Sequence, residues 1–221
     1  METTCREGGV ALGAGGQLVS VLPFDAARRA ATQVVARLEE LVRQADLRPR
    51  DIDEIYISCG PGSYTGTRVG VTAARTLAQA IGTARCVAVP TVQAVAQNVL
   101  CTPAIQHLAV VLDARHELLY AAHFEPSHGQ WAQLDQARTT TIPQLLEESP
   151  RPLHLVGEAL GYYRIEAPDV QAVDPALWLP RAEGVWAVGH RLSLLQKFTD
   201  WRDLQPIYTG LPEAVRLWNT P

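Results

Sequence analysis

Gly60-Pro-Gly-Ser-Tyr-Thr-Gly66 is the part of this chain whose residue types and spacing come nearest to chemistry. A glycine-rich turn opening a helix presents backbone N–H groups with no intrahelical partner, and such groups can hold an anion. The spacing narrows the reading. A phosphate loop carries Gly-Lys-Ser/Thr after its second glycine position, whereas Gly66 is followed by Thr67 and Arg68. A dinucleotide fingerprint is G-x-G-x-x-G, and the run from Gly60 through Gly62 to Gly66 has one residue too many. What remains is a sharp turn that lets backbone come close to something, with anion binding left open.

The other reactive side chains form no recognisable set. Six histidines are present: His107, His116, His123, His128, His154 and His190. None makes H-x-x-x-H or H-E-x-x-H, so no metal-binding pair lies on a helix. His116, between Arg115 and Glu117, reads as a solvated turn residue; His123, alternating with Ala122 and Phe124, reads as a strand-face residue. Ser63 and Thr65 have no histidine placed to activate them, and their expected role is to cap the following helix, Thr65 especially. Cys5, Cys59, Cys86 and Cys101 show no C-x-x-C and are expected to be small buried thiols. No catalytic residue, metal site or cofactor is predicted.

Composition excludes further classes. The 221 residues suffice for one large domain or two small ones. A formal net charge of −4 argues against this chain gripping RNA alone, although Arg28-Arg29 and Arg48/Arg50 leave a local basic patch open. No stretch is apolar enough to span a bilayer, and no basic segment precedes an apolar core at the N-terminus. The expected location is the cytoplasm.

The elements that must position the glycine turn can be read from periodicity. Gly8–Leu12 and Leu18–Leu22 read as a hairpin around Gly13–Gly16, and Ala27–Ala45 as an amphipathic helix. Glu54–Ser58 is a strand feeding the turn, and 66–81 is the helix that leaves it. On that helix Gly70, Ala74, Leu77 and Ile81 form one stripe, and Val69, Ala73, Thr76 and Ala80 a second. Arg68, Thr72, Arg75 and Gln79 form the only polar strip. Two apolar stripes fit either complete burial or one face on the home sheet and one on another protein. Further on, Cys86–Val89, Leu108–Leu112, Leu118–Phe124, Gln130–Thr139 and Leu153–Val156 read as strands. Thr91–Leu100, Ile142–Glu148 and Glu183–Gln196 read as helices, the last with Val185, Val188, Leu192 and Leu195 on one face. Residues 165–180 show no clear period, and the segment from Trp201 reads as a surface strap, with Trp201 and Trp218 needing burial. The order strand–strand–strand–helix–strand appears twice, with Gly157 falling where Gly60 fell.

Gly60-Pro-Gly-Ser-Tyr-Thr-Gly-Thr-Arg-Val-Gly70 resembles the G-P-G-S-[FY]-T-G-x-R-[IV]-G signature of the bacterial TsaB (YeaZ) family. Residues 47–55, 87–95, Leu112-Asp-Ala-Arg-His-Glu-Leu-Leu-Tyr120 and Gln205-Pro-Ile-Tyr208 resemble that family's other segments, strongly to about Tyr120 and thinly after it. The resemblance implies an α/β, actin-like (sugar-kinase-like) fold of duplicated βββαβα domains, at 1–102 and 103–221. It implies a non-catalytic subunit in the formation of threonylcarbamoyladenosine in tRNA, binding and activating a metal-containing, TsaD-like catalytic subunit. A TsaE-like ATPase joins that pair, a homodimer competes with it, and tRNA is met only through the complex. The contact residues expected are Arg68, Val69, Thr72, Ala73, Thr76 and Ala80 on one helix and Val34 and Leu38 on the other, beside the signature loop of Gly60, Pro61, Gly62, Ser63, Thr65 and Gly66. In actin-like kinases carboxylates placed like Glu2 and Asp113 hold Mg²⁺, which keeps a small-molecule kinase as the alternative.

One departure stands out. Family members begin with an apolar strand running into Asp-Thr-Ser; here Glu2-Thr3-Thr4 matches that turn, and the strand before it is expected to be missing. An unpaired central position leaves backbone groups without partners. An upstream start that restores the strand is the favoured expectation.

Overall fold

The computed structural model describes residues 1–208. In the N-terminal half β1 (Gly9–Ala14) and β2 (Gln17–Pro23) form an antiparallel hairpin. Its turn is Gly15-Gly16, both at positive φ, as a tight two-residue hairpin requires. β1 therefore runs two residues beyond the sequence expectation, through a bulge at Leu12/Gly13. Helix α1 spans Val34–Gln44 instead of starting at Ala27. The reason is Gln33, which is buried and ties down the preceding segment. Its amide accepts from the Asp25 N–H at 2.8 Å and donates to the Asp25 and Arg28 carbonyls. Asp25 accepts from Ala27 N–H in a local turn, and only Ala30–Thr32 wind, as a single 3-10 turn, before α1 begins.

β3 (Glu54–Ser58) leads through the glycine turn into α2 (Tyr64–Ile81), and β4 (Arg85–Val89) returns parallel to β3. Gly82 at φ 80° closes α2. Helix α3 covers only Thr91–Ala96, shorter than the expected run to Leu100. Two residues stand between β1 and β3. The Met1 nitrogen donates to the Tyr56 carbonyl at 2.7 Å, Ser58 N–H donates to the Met1 carbonyl, and Glu2 exchanges both backbone bonds with Gly9.

The second half is a six-stranded mixed sheet built from β5 (His107–Asp113), β6 (Leu118–Ser127), β7 (Gln130–Gln133), β8 (Arg138–Thr141), β9 (Leu153–Val156) and β10 (Val170–Ala172). Its order is β10-β9-β5-β6-β7, with β8 lying beyond β7 along the same edge of β6. Leu108–Leu112 of β5 are all buried, the continuous apolar run expected of a central strand. The single strand expected over Gln130–Thr139 is broken in two by Asp135, whose carboxylate takes the His123 N–H that a strand partner would otherwise use. β10, a short edge strand, was hidden in the segment without a period. Helix α4 (Ile142–Glu148) precedes β9, and α5 (Ala182–Leu194) is the last helix or strand among the described residues.

Alternation along β3 divides the N-terminal packing into two layers. Ile55 and Ile57 join Val10, Val34, Leu41, Val71, Ala74 and Ala78 in a core under α1 and α2. Tyr56 packs on the opposite layer with Val87, Val89, Ala94, Val185 and Val188, beneath α5. Leu195, expected on the buried face of α5, lies past its end and is exposed. The segment after α5 pairs with Cys86 through Thr199, half-buries Trp201, buries Leu204 and returns to the glycine turn, where Ile207 N–H donates to the Cys59 carbonyl at 2.7 Å. Trp218 lies outside the described residues.

Candidate functional site

The glycine turn closes over residues 2–4. Ser63 N–H donates to the Thr4 carbonyl at 2.9 Å, and the Thr3 hydroxyl donates to the Gly66 carbonyl at 2.8 Å. A Cβ on Gly62 would crowd Thr4, one on Gly66 would overlap the Thr3 carbonyl oxygen, and one on Gly70 would overlap the Thr3 hydroxyl. Gly60, at φ 104°, faces the Ile207 carbonyl across a gap that no side chain fits. The glycines thus serve close packing. Several of the turn's N–H groups are already used. Gly60 N–H donates to the Thr91 hydroxyl, Gly66 N–H to the Ser63 hydroxyl and Thr67 N–H to the Ser63 carbonyl. Ser63, not Thr65, is the N-cap of α2. Pro61 is buried and Thr65 is exposed.

Helix α2 buries one line of residues, Thr67, Gly70, Val71, Ala74 and Ala78. Leu77 and Ile81, expected on the buried stripe, are only half-buried. The opposite side is open at Arg68, Thr72, Thr76 and Ala80, which are exposed, whereas Val69 and Ala73, expected at the contact with them, are half-buried and pack against the home core. Together with Tyr64 these make an i, i+4 row, Tyr64–Arg68–Thr72–Thr76–Ala80, exposed from end to end. On α1, Leu38 is half-buried. Val34 is only 3% exposed and belongs to the home core, and Val35, at 65%, takes the outward position instead.

Tyr208 joins this surface from the far end of the described chain, and nothing in the helical pattern of α2 signals it. Its hydroxyl accepts from Arg68 Nε at 3.0 Å, and its ring lies 5.7 Å from the Tyr64 ring. The Arg68 guanidinium sits 4.0 Å from the Tyr64 ring centroid. The bond to Tyr208 holds its pKa above the usual arginine value. Arg75 donates to the Leu204 carbonyl at 3.3 Å, so both arginines of α2 tie it to the closing segment.

The acidic residues gather elsewhere, between the two halves. Glu2 is fully buried and accepts from the Thr4 N–H and, at 2.6 Å, the Thr4 hydroxyl. Burial raises its carboxyl above the ordinary range and outweighs the hydroxyls of Thr4 and Ser58. Glu158, in the turn after β9, is pushed up to about 7 by burial, then by Asp113 and Glu2. Asp113 accepts from the Tyr163 hydroxyl at 3.0 Å and the Arg115 N–H at 2.8 Å. Burial lifts the thiols of Cys5, Cys59 and Cys86 above the ordinary range, Cys59 to about 12 and Cys86 to about 11, which leaves them protonated and inert. Among the described residues no three His, Cys, Asp or Glu side chains stand close enough together to hold a metal ion. No helix there is long and apolar enough to cross a membrane.

His123 is not the simple strand-face residue expected. It is buried, with Nδ1 2.9 Å from Asp135 Oδ2 and Nε2 2.8 Å from Ser149 Oγ. The order resembles a nucleophile–base–acid relay. Ser149 is itself buried, and its hydroxyl donates to the Leu145 carbonyl at 2.5 Å. It sits at the C-terminal end of α4, where carbonyls rather than N–H groups converge. The triplet is a strut between β6, the β7–β8 crossover and α4.

Comparison with known proteins agrees with this architecture. The family model described as TsaD, tRNA N6-adenosine threonylcarbamoyltransferase, matches residues 16–174. The tRNA threonylcarbamoyladenosine biosynthesis protein TsaB of Bacillus subtilis is 26% identical over 189 residues, covering 82% of this chain and 80% of that protein. The tRNA N6-adenosine threonylcarbamoyltransferase of Methanopyrus kandleri is 43% identical over 58 residues, 26% of this chain and 17% of that protein. Two solved structures from Pseudomonas aeruginosa share the fold at 19% identity. One, described as an uncharacterized protein with similarity to peptidase YEAZ, has a TM-score of 0.82 and covers 95% of this chain and 97% of its own. The other, described as YeaZ, has a TM-score of 0.76 and covers 94% and 96%.

Proposed function

Because this chain belongs to the TsaD (tRNA N6-adenosine threonylcarbamoyltransferase) family and is TsaB/YeaZ-like within it, we propose that it is a non-catalytic subunit in forming threonylcarbamoyladenosine in tRNA. In this reading it docks a TsaD-like catalytic subunit through the outer side of α2 and the neighbouring side of α1 and activates it. A TsaE-like ATPase completes the assembly, a homodimer through the same surface competes with it, and tRNA is reached only through the complex, in the cytoplasm. The observation that carries the reading is the exposed row Tyr64–Arg68–Thr72–Thr76–Ala80, whose middle and C-terminal side chains are small. A helix of 18 residues with such a row admits a second helix at short interaxial distance.

The strand orders support the expected division near residue 102 into two repeated units of an actin-like fold, but α5 and the segment after it, expected with the second unit at 103–221, pack against the strands of the first. β4-β3-(Met1–Glu2)-β1-β2 corresponds to β10-β9-β5-β6-β7/β8, and Glu2 then corresponds to Asp113. The kinase alternative draws on those two carboxylates. It is the weaker reading because the turn that would face a phosphate is packed against Thr3 and Thr4.

The test is Ala73→Glu, which sets a charge into the contact where it must be desolvated. Because Ala73 also touches the home core, the variant should melt cooperatively at a somewhat lower temperature and fail to co-purify with the threonylcarbamoyltransferase encoded in the same genome, and Thr76→Glu, at an exposed position, should do the same at the wild-type melting temperature. Co-purification at the wild-type level would contradict the docking surface. Depleting the protein should lower threonylcarbamoyladenosine in tRNA nucleosides measured by mass spectrometry, and an unchanged level would contradict the pathway.

A further inference from the structure

The closing segment Gln205-Pro-Ile-Tyr208 plays no part in the proposal so far, yet it is fixed precisely. Leu204 is buried, Ile207 bonds the Cys59 carbonyl, and Tyr208 meets α2 across 140 residues of sequence. Tyr64 and Tyr208 are 51% and 48% exposed, and the guanidinium of Arg68 lies against one ring and bonds the hydroxyl of the other. Long arginine side chains on a surface normally lose freedom on binding, at an entropic cost. Here that freedom is restricted in advance. Tyrosine and arginine are also the residues that most often carry binding energy at protein interfaces.

Resting on the docking reading above, we propose that Arg68, clamped between Tyr64 and Tyr208, is the anchor that receives a carboxylate from a helix of the partner subunit. Charge complementarity selects this occupant. The α2 sequence contains Arg68 and Arg75 and no acidic residue, on a chain whose formal net charge is −4. The N-terminal end of the same helix adds its partial positive charge near Arg68. A second copy of this chain fits less well, because in a two-fold contact α2 offers no carboxylate to either Arg68 and α1 offers only Glu39 and Glu40, the latter already paired with Arg37 at 2.7 Å. RNA fits less well because one clamped arginine on a net-negative chain lacks the basic field that phosphate binding uses. The row beyond the anchor, Thr72, Thr76 and Ala80, lets the partner helix lie close, and the anchor sets its register.

The test measures the dissociation constant with the threonylcarbamoyltransferase of the same genome by calorimetry, at about 50 mM and about 500 mM salt. Arg68→Gln should bind at least roughly tenfold more weakly at low salt and lose most of the salt dependence, with an unchanged melting temperature. Tyr208→Phe, which keeps the ring and removes only the hydroxyl, should weaken binding by about threefold with the salt dependence retained. Wild-type affinity and salt dependence in Arg68→Gln, with Ala73→Glu still abolishing the complex, overturns the anchor and leaves the docking surface standing. Wild-type binding by Ala73→Glu removes the docking surface and the anchor with it. Loss in Arg68→Gln of tRNA binding by the isolated chain, or of self-association, while the complex forms normally, also overturns the anchor.

Discussion

Thr3 and Gly66 hold each other at backbone distance: the Thr3 hydroxyl donates to the Gly66 carbonyl at 2.8 Å, and the Thr3 carbonyl fills the space a Gly66 side chain would need. Intrinsic propensity favours alanine over glycine inside a helix by about 1 kcal/mol, so Gly66→Ala looks stabilising from sequence. Packing reverses the sign, because the obstructing atom is backbone and cannot rotate away. The expected result is a loss of about 2 kcal/mol, a melting temperature lower by roughly 5 °C. Gly161→Ala, where nothing lies within 4 Å of the added carbon, is the control and should melt like the wild type. Equal melting of Gly66→Ala and the control would show that the turn is not pinned to residues 2–4.

His123 bonds Asp135 twice, through its backbone N–H at 2.7 Å and its ring at 2.9 Å, and reaches Ser149 on α4. His123→Leu keeps most of the volume and removes both ring bonds, one to the half-buried Asp135 carboxylate and one to the buried Ser149 hydroxyl. The expected cost is about 1–2 kcal/mol, read by denaturant unfolding. Because the Ser149 hydroxyl is already committed to the Leu145 carbonyl, the chain should not be labelled by a fluorophosphonate probe. Labelling at Ser149 would turn the strut into a nucleophile and contradict this reading.

Much of the frame was legible in local pattern. Glu54–Ser58, Ile142–Glu148 and Leu153–Val156 fall at the bounds their apolar runs and caps suggest, because each is set by its own residues. The misses come from side chains acting on distant backbone. Gln33 delays α1, and Asp135 splits a strand in two. Periodicity also leaves adjacent apolar residues ambiguous in phase, so Val34 and Val35 could not be told apart until the core showed which was inside. At the candidate site Arg68 follows from the helical wheel, whereas Tyr208 does not. Its only trace in sequence is the closing Pro-Ile-Tyr, and the contact it makes spans 140 residues.

Glu158 makes stability depend on pH in the direction opposite to a salt-bridged carboxylate. Its pKa is raised to about 7 from 4.5, by burial first and then by Asp113 and Glu2. Below about 4.5 the group is protonated in both the folded and the unfolded chain and contributes nothing. Between 4.5 and 7 the unfolded chain releases this proton and the folded chain keeps it, so folding loses stability steadily as pH rises. Above about 7 both states are ionised and the penalty is constant, at up to about 3 kcal/mol. Glu158→Gln keeps a side-chain oxygen that can accept from Asp113 N–H and removes the charge. The variant should therefore melt at a higher temperature than the wild type at pH 8 and at nearly the same temperature at pH 4.5. The gap between the two curves should open through the interval between those values. A gap that is constant with pH would mean that Glu158 does not keep its proton between the two halves.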